Sequence, residues 1–188
     1  MSTIAARPQR ADARRNRERV LAAAAELFAE NGLETQVEDI AHRAGVGVGT
    51  VYRHFATKEA LIAALAEEHF ERLARTAEAA LVEGGDPWDV FAGAIWRGAA
   101  HAARDIAWCE IVAGHAVPEI AGQKRLVAAT AQLIARAQAA GSMRKDASVL
   151  DIRTIMCGFG HVAAAQRAGA PLDWERYLTI ALDGLRSR

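Results

Sequence analysis

Apolar residues recur every three or four positions along most of this chain, and almost no stretch alternates between apolar and polar with a period of two. That spacing predicts amphipathic helices rather than strands. Glycine and proline interrupt the pattern and mark the helix ends. The predicted helices cover about 12–31, a short pair within 36–54, then 58–82, 87–104, a short apolar segment at 106–115, 119–140, 147–168 and 173–186. We therefore predict an all-α fold of about nine helices.

The segment TQVEDIAHRAGVGVGTVYRHFATK, residues 35–58, holds the most informative pattern in the chain. Its first apolar residues have helical spacing and predict one buried face at Val37, Ile40, Ala41 and Ala44. Gly45 follows directly, where a helix terminator adopts a left-handed conformation. A second short helix is predicted to begin at Gly47 or Val48. Two short helices joined by a tight glycine turn form a helix-turn-helix, which places its second helix in the major groove of DNA.

The second short helix has one apolar face and one face suited to DNA. Val51 and Phe55 lie one turn apart and are predicted to face inward. The opposite face carries small, hydroxyl, aromatic and basic side chains at Gly49, Thr50, Tyr52, Arg53 and His54. Glycine lets a backbone approach a phosphate closely. This combination predicts a DNA-binding regulator.

Polar residues at the helix ends are predicted to act as caps. Thr35 and Glu38 match the T-x-x-E capping box, in which each side chain accepts a hydrogen bond from the backbone N–H of the other. Thr57 is placed to cap the next helix, and Lys58 follows in its first turn. A cation there is unfavourably placed relative to the helix dipole, and a nearby polyanion would offset that cost.

The stretch AGVGVGTVYRHFATKEAL resembles the signature of the TetR (tetracycline-repressor-like) family of bacterial transcriptional regulators. The preceding RRNRERVLAAAAELFAENGLETQVEDIA is similar to that family's first helix and the entry to its second, so the resemblance covers roughly Arg14 to Leu65. It departs at Gly47, where the family usually has Ser or Thr. The resemblance implies an N-terminal three-helix DNA-binding domain at residues 1–57 and a C-terminal helical bundle for ligand binding and dimerisation at 58–188.

The resemblance also assigns roles to residues of the predicted DNA interface. Phosphates are expected to be held by the backbone near Gly47–Gly49 and by the side chains of Thr50, Tyr52, His54 and Lys58. The candidates for contact with bases are Gln36, Val48, Gly49 and Arg53. An arginine pairs best with guanine, which is the base predicted for Arg53.

The charge distribution agrees with a DNA-binding N-terminus. The whole chain has 23 basic and 23 acidic residues, so its formal net charge is zero. Residues 1–20 nevertheless contain six arginines against Asp12 and Glu18. A basic run of this kind can be an ordinary solvated tail, but beside a helix-turn-helix we predict that the Arg7–Arg15 stretch is a DNA-facing arm.

Other features bound the location and the redox state. No apolar run approaches the ~20 residues of a membrane span, and no apolar signal-peptide core follows the N-terminal arginines, so we expect a cytoplasmic protein. The two cysteines, Cys109 and Cys157, are predicted to be reduced, buried thiols rather than a disulfide.

The region after residue 58 is expected to bind a small-molecule effector, because apolar cavities between helices commonly bind small ligands. The candidate lining residues are aromatic, sulfur-containing or titratable: Trp88, Phe91, Trp96, Trp108, Glu110, His115, Met156 and Phe159. The alternative is that the aromatic residues form ordinary core and that Glu110 lies on a solvated face.

Metal, cofactor and enzyme functions are not predicted. His101, Asp105 and Cys109 are four residues apart in turn, as are Cys157 and His161, but the chain has no CxxC or HExxH motif. GVGVG lacks the preceding strand of a nucleotide-binding fingerprint, and no G-x-S-x-G motif is present.

The last two predicted helices, about 147–168 and 173–186, are expected to form a homodimer, as the family resemblance implies. Each carries an apolar stripe, the first at Ile152, Ile155, Met156, Phe159 and Ala163 and the second at Trp174, Tyr177, Leu178, Ala181 and Leu185. Small residues that permit close helix approach are Gly158, Gly160, Ala163, Ala164 and Ala165. A dimer reads a palindrome through two helices one DNA turn apart, whereas the alternative for these stripes is an intramolecular core.

The function predicted from the sequence is a ligand-responsive repressor that binds a palindromic operator as a homodimer and is released by a small molecule. One alternative is a constitutive DNA-binding protein whose C-terminal bundle only dimerises. Another is a helical-bundle enzyme or carrier with a vestigial DNA module.

Overall fold

The computed structural model describes residues 6–104 and 120–187, which form eight α-helices, one short 3₁₀ turn and an isolated antiparallel bridge between Met143 and Arg186. The α-helices are α1 (Ala6–Asn31), α2 (Val37–Ala44), α3 (Val48–His54), α4 (Lys58–Leu81), α5 (Pro87–Arg104), α6 (Ala121–Ala139), α7 (Val149–Arg167) and α8 (Trp174–Asp183). The 3₁₀ turn, Gly32–Glu34, lies between α1 and α2. The predicted all-α fold is confirmed. No helix in the described ranges is both long enough and apolar enough to cross a membrane.

The first three helices, here called the head, pack around one apolar core together with the beginning of α4. The α1 residues that face this core are buried: Val20, Leu21, Ala24, Leu27 and Phe28. They meet the buried face of α2 and the residues Val51, Phe55, Leu61 and Ile62. Apolar burial of this kind is the main term that holds short helices such as α2 and α3 in place, because isolated helices of that length are unstable in water.

A second core holds the remaining helices, here called the bundle. Its largest fully buried side chains are Phe91, Phe159, Leu133, Met143 and Leu178. All of these except Met143 lie on helices, each on a different one. Ala77 and Ala80 bring the second half of α4 into the same core. The most extensive contact between two described helices is that of α4 with α6.

The predicted capping box at the start of α2 is wrong. Residues 32–34 form the 3₁₀ turn, so α2 begins at Val37 with Gln36 as its N-cap and without a side-chain cap bond. Thr35 is buried instead, with its hydroxyl 3.0 Å from the carbonyl oxygen of Leu27 and 2.9 Å from that of Gly32. A buried hydroxyl must find such an acceptor, and this requirement outweighs the local capping signal.

The apolar stripes of α7 and α8 contribute to the chain's own core, which is the alternative that the sequence left open for them. Ile152, Phe159, Ala163, Leu178 and Leu185 are buried in the bundle. The remaining stripe residues named for these helices are partly buried. A dimer through α7 and α8 would therefore use their outer faces.

The contact between α7 and α8 explains one of the small residues. The hydroxyl of Tyr177 donates to the carbonyl oxygen of Ile155 at 3.2 Å, and a Cβ on Gly158 would collide with the oxygen of that hydroxyl. The absence of a side chain at Gly158 therefore leaves room for Tyr177 of the same chain. Cys157, predicted to be buried, is exposed, and Cys109 lies outside the described residues.

Candidate DNA interface

The turn between α2 and α3 is a Schellman motif that ends α2 sharply. Gly45 has φ +63°, the left-handed conformation predicted for it. Its N–H donates to the carbonyl of His42 at 3.0 Å, and the N–H of Val46 donates to the carbonyl of Ala41 at 3.0 Å. These two bonds satisfy carbonyl groups that a helix end leaves without partners.

Arg19 fixes this turn to α1. Its Nη2 donates to the carbonyl oxygen of Gly45 at 3.1 Å. A Cβ placed on Gly45 would lie only 2.6 Å from the same nitrogen. The positive φ is the reason that position 45 favours glycine, and a larger residue there would also displace the end of the Arg19 side chain.

A second arginine holds α2 against α1. Arg43 donates from Nη1 to Glu26 at 3.1 Å and from Nη2 to Glu30 at 3.0 Å. The side-chain hydrogen bond from Arg43 lowers the pKa of Glu30 below its ordinary value. Arg43 is therefore a structural residue of the head.

The first turn of α3 is open on its outer side. Gly47 is the N-cap, with φ −72° and ψ 147°, and its carbonyl accepts the N–H of Thr50 at 2.8 Å. No heavy atom lies within 4 Å of a Cβ placed on Gly47 or on Gly49. Because neither packing nor a positive φ requires these glycines, they leave the backbone free to approach an external surface.

The two faces of α3 are as predicted. Val51 and Phe55 are buried, while the Tyr52 side chain is 47% exposed and Arg53 is exposed. Among the described residues, no hydrogen bond or ion pair engages Tyr52 or Arg53. Such a cation and such a hydroxyl are available to an external partner.

The remaining predicted interface residues flank that face. Val48, Thr50 and His54 are half-buried, and Gln36 is exposed with its Nε2 donating to the Glu34 carbonyl at 2.7 Å. Thr57 caps α4 as predicted, since its hydroxyl accepts the N–H of Ala60 at 3.1 Å. The half-buried Lys58 has its Nζ 5.9 Å from the ring centroid of Phe28, within cation–π range.

Most arginines of the basic run bind partners within the chain. Arg14 pairs with Glu18 at 3.6 Å, and Arg15 pairs with Asp12. The guanidinium of Arg17 lies 5.4 Å from the Phe55 ring centroid and 3.5 Å from Glu68 of α4. The structure does not describe the side chains of residues 6–10, which include the start of the predicted arm. Sequence reasoning missed the structural roles of Arg17 and Arg19, because no local pattern identifies such distant partners.

The predicted ligand-binding residues fall into two aromatic groups. Trp96 and Phe159 both contact Trp174, with ring centroids 5.9 and 5.3 Å apart, and the half-buried Met156 packs against the same core. Sequence reasoning did not include Trp174 among the candidates. The second group is separate. There, Trp88 and Phe91 are buried with centroids 5.7 Å apart, and the Arg186 guanidinium lies 4.7 Å from the Trp88 ring.

Three predicted ligand residues, Trp108, Glu110 and His115, lie outside the described residues. Asp105 and Cys109, two of the residues spaced like metal ligands, also lie outside the described residues. Within 6–104 and 120–187, no group of three or more His, Cys, Asp or Glu residues could hold a metal ion.

Two family profiles match this chain. The profile described as bacterial regulatory proteins, tetR family, matches residues 20–65. The profile described as transcriptional regulator SbtR-like, C-terminal domain, matches residues 90–187.

Curated relatives share the N-terminal part. The HTH-type transcriptional repressor KstR of Mycolicibacterium smegmatis is 36% identical over 76 residues, which are 40% of this chain and 37% of that protein. The HTH-type transcriptional regulator UidR of Escherichia coli is 42% identical over 69 residues, 36% of this chain and 35% of that protein. The matches thus span well under half the length of these relatives.

Solved structures match almost the whole chain. A TetR transcriptional regulator from Streptomyces coelicolor has a TM-score of 0.62 and 33% identity, covering 91% of this chain and 98% of its own. A TetR transcription regulatory protein from Mycobacterium vanbaalenii has a TM-score of 0.61 and 34% identity, with 95% and 99% covered.

Proposed function

We propose a function from one premise: the chain belongs to the TetR family of bacterial regulatory proteins, which are transcriptional regulators. The proposed protein is a homodimer that binds an inverted-repeat operator through two copies of α3 and is released from it by a small molecule. The supporting observation is the outer face of α3, where open backbone at Gly47 and Gly49 adjoins exposed Tyr52 and Arg53.

The contacts proposed with DNA divide into two kinds, because phosphate contacts position a protein and base contacts specify sequence. The N–H groups at the α3 N-terminus, with Thr50, Tyr52, His54 and Lys58, bind phosphates. Arg53 reads guanine from within the major groove, with Gln36, Val48 and Gly49 beside neighbouring base pairs.

Dimerisation is proposed through the outer faces of α7 and α8. Large apolar side chains are exposed there or close by, at Leu150, Leu172 and Ile180. A single seven-residue helix reads few base pairs. Two copies placed about 34 Å apart read a palindrome in successive major grooves.

An effector is proposed to bind beside Trp96, Phe159 and Trp174, where α5, α7 and α8 meet. An aromatic lining favours a ligand with substantial apolar surface. Binding releases DNA only if the effector prefers the conformation with lower DNA affinity.

The function is tested by selecting DNA from a random pool with the purified full chain at physiological salt, followed by sequencing. Enrichment of an inverted repeat with half-sites about one helical turn apart is the expected result. Binding that depends strongly on salt but enriches no sequence would contradict a sequence-specific regulator.

A constitutive DNA-binding protein is a second candidate, favoured by one observation. Trp88, Phe91 and Phe159 are at most 4% exposed, so these predicted ligand residues are buried in the bundle core. Native mass spectrometry of the chain purified from its host separates the two proposals. A bound small molecule at stoichiometric amount favours the responsive regulator, whereas a ligand-free protein that keeps its operator affinity in host extract favours the constitutive one.

Tyr52→Ala is expected to weaken binding to every DNA sequence alike, by roughly 1–2 kcal/mol per head. The phenol projects from α3 without a partner among the described side chains, so its loss leaves the fold intact. Fluorescence anisotropy with the selected operator and with scrambled DNA measures both affinities. A loss confined to the operator would show that Tyr52 reads bases instead.

A further inference from the structure

Helix α4 contributes side chains to both cores and so connects the head to the bundle. Leu61 and Ile62 are buried in the head core, whereas Ala77 and Ala80 are buried in the bundle core. The change from one core to the other therefore falls inside a single continuous helix. An α-helix is stiff over this length, so the position of its second half fixes the position of the head.

The head is tied to α4 just before that change. Arg17 of α1 pairs with Glu68 at 3.5 Å and lies over the ring of Phe55, the residue that follows α3. One side chain thus joins α1, the end of α3 and α4. The reading helix and the first three turns of α4 consequently move together.

Immediately after the point where α4 passes from the head core to the bundle core, Arg125 of α6 binds two glutamates of α4. Its Nη1 lies 2.8 Å from Oε2 of Glu71, and its Nε and Nη2 donate to Glu78 at 2.8 and 2.5 Å. The Cα atoms of Glu71 and Glu78 lie two helical turns apart, about 10 Å along the axis of α4, and their carboxylates converge on this one guanidinium. Sliding or rotation of α4 against α6 would break at least one pair. We call this arrangement the clasp.

Charge on both glutamates is favoured by the clasp itself. Hydrogen bonds from Arg125 lower the pKa of Glu71 and that of Glu78 below their ordinary values. Both carboxylates are therefore ionised at neutral pH, so both can pair with the guanidinium of Arg125.

A backbone contact beside the clasp sets the distance between the two helices. A Cβ placed on Gly122 would lie 2.8 Å from the backbone nitrogen of Glu71 and 3.0 Å from the carbonyl carbon of Phe70. Glycine at 122 is thus required by the close approach of α4, since its φ is not positive. Because backbone packs directly on backbone here, no flexible side chain can adjust to a change in the distance between α4 and α6.

We propose that Arg125 and Gly122 fix the axial position of α4 and so set the separation of the two reading helices, making them determinants of the half-site spacing the dimer accepts. The inference rests on the proposed function, a dimer that reads an inverted repeat. Each exposed ion pair alone stabilises little, so the clasp acts by favouring one axial position of α4 and not by adding much to the stability of the fold.

The test is a set of inverted repeats that share the selected half-site but differ in spacing by single base pairs. Arg125→Gln is compared with wild type by anisotropy on each member. The expected result is an unchanged half-site preference with a spacing discrimination about fivefold weaker than wild type. Glu78→Gln, which opens one arm of the clasp, is expected to give a smaller change in the same direction and serves if Arg125→Gln folds poorly.

Arg75→Gln is the matched control. Arg75 also donates to Glu71, at 3.1 Å, but it lies on α4 itself and makes no bridge to α6. Its loss removes the same charge near the same partner and is expected to leave the spacing profile unchanged.

Three results would overturn the inference, and they are distinguishable. If Arg125→Gln folds and keeps the wild-type spacing profile, the clasp does not set the spacing, and the proposed function is unaffected. If Arg75→Gln weakens the spacing discrimination as much as Arg125→Gln does, the effect comes from the lost charge and not from the bridge to α6. A wild-type protein that binds single half-sites as tightly as any inverted repeat overturns the proposed function, and this inference with it.

Discussion

Arg53→Ala is expected to cost roughly 1–3 kcal/mol of operator affinity per half-site, and so about 2–6 kcal/mol for the dimer. It is also expected to abolish the preference for one base at one position of each half-site. The reason is structural: Arg53 is exposed on the reading face of α3, and no bond within the described part of the chain engages it. Its guanidinium can therefore bind DNA without first breaking a bond within the described part of the chain.

The measurement uses the selected operator and variants carrying each base at each half-site position. Arg53→Ala should flatten the response at one position, because a bidentate arginine contact with guanine is lost. Tyr52→Ala is the control on the same helix face and should lower all affinities together. Equal loss on every sequence for Arg53→Ala would assign that residue to the phosphate backbone.

Gly45→Ala is expected to destabilise the head by roughly 2–3 kcal/mol. A left-handed conformation costs an alanine about 1–2 kcal/mol, and displacement of Arg19 removes a hydrogen bond worth about 1 kcal/mol. The new Cβ would lie 2.6 Å from Nη2 of Arg19, so the end of the arginine side chain must move from the position in which it binds the Gly45 carbonyl. The turn that orients α3 loses its anchor to α1.

Gly49→Ala is the matched substitution, four residues further along, and is expected to act in the opposite direction. Nothing lies within 4 Å of the added Cβ, and alanine favours a helix over glycine by roughly 0.5–1 kcal/mol. Urea unfolding followed by circular dichroism measures both variants. We also expect Gly49→Ala to bind DNA more weakly despite its added stability, because its methyl group faces the proposed DNA surface. Changes of the same sign in both stabilities would contradict this account of the two glycines.

The helix-turn-helix was predictable because its determinants lie within a few residues of one another. The buried face of α2, the left-handed Gly45 and the inward pair Val51 and Phe55 are all as predicted. The failed capping box shows the limit of such local reasoning. The T-x-x-E pattern is present, but Thr35 is drawn into a buried contact with Leu27, eight residues earlier.

Periodicity identified which faces of the last two helices are apolar but not what covers them. Ile152, Phe159 and Leu178 pack inside the chain, although the same pattern suits an interface between two chains. The hydrophobic effect is non-directional, so a stripe encodes the need for burial without naming its partner.

The sequence by itself determined the all-α fold, the family and which face of α3 is exposed, because helix formation and turn geometry depend on near neighbours. Only the tertiary structure decided where the charged side chains act. Arg19 meets Gly45 across 26 positions, and Arg125 meets Glu71 across 54. Any of the chain's arginines could pair with any carboxylate as far as composition is concerned. The packing of the two cores selects among these pairs, because it alone brings distant segments within the few ångströms over which hydrogen bonds form.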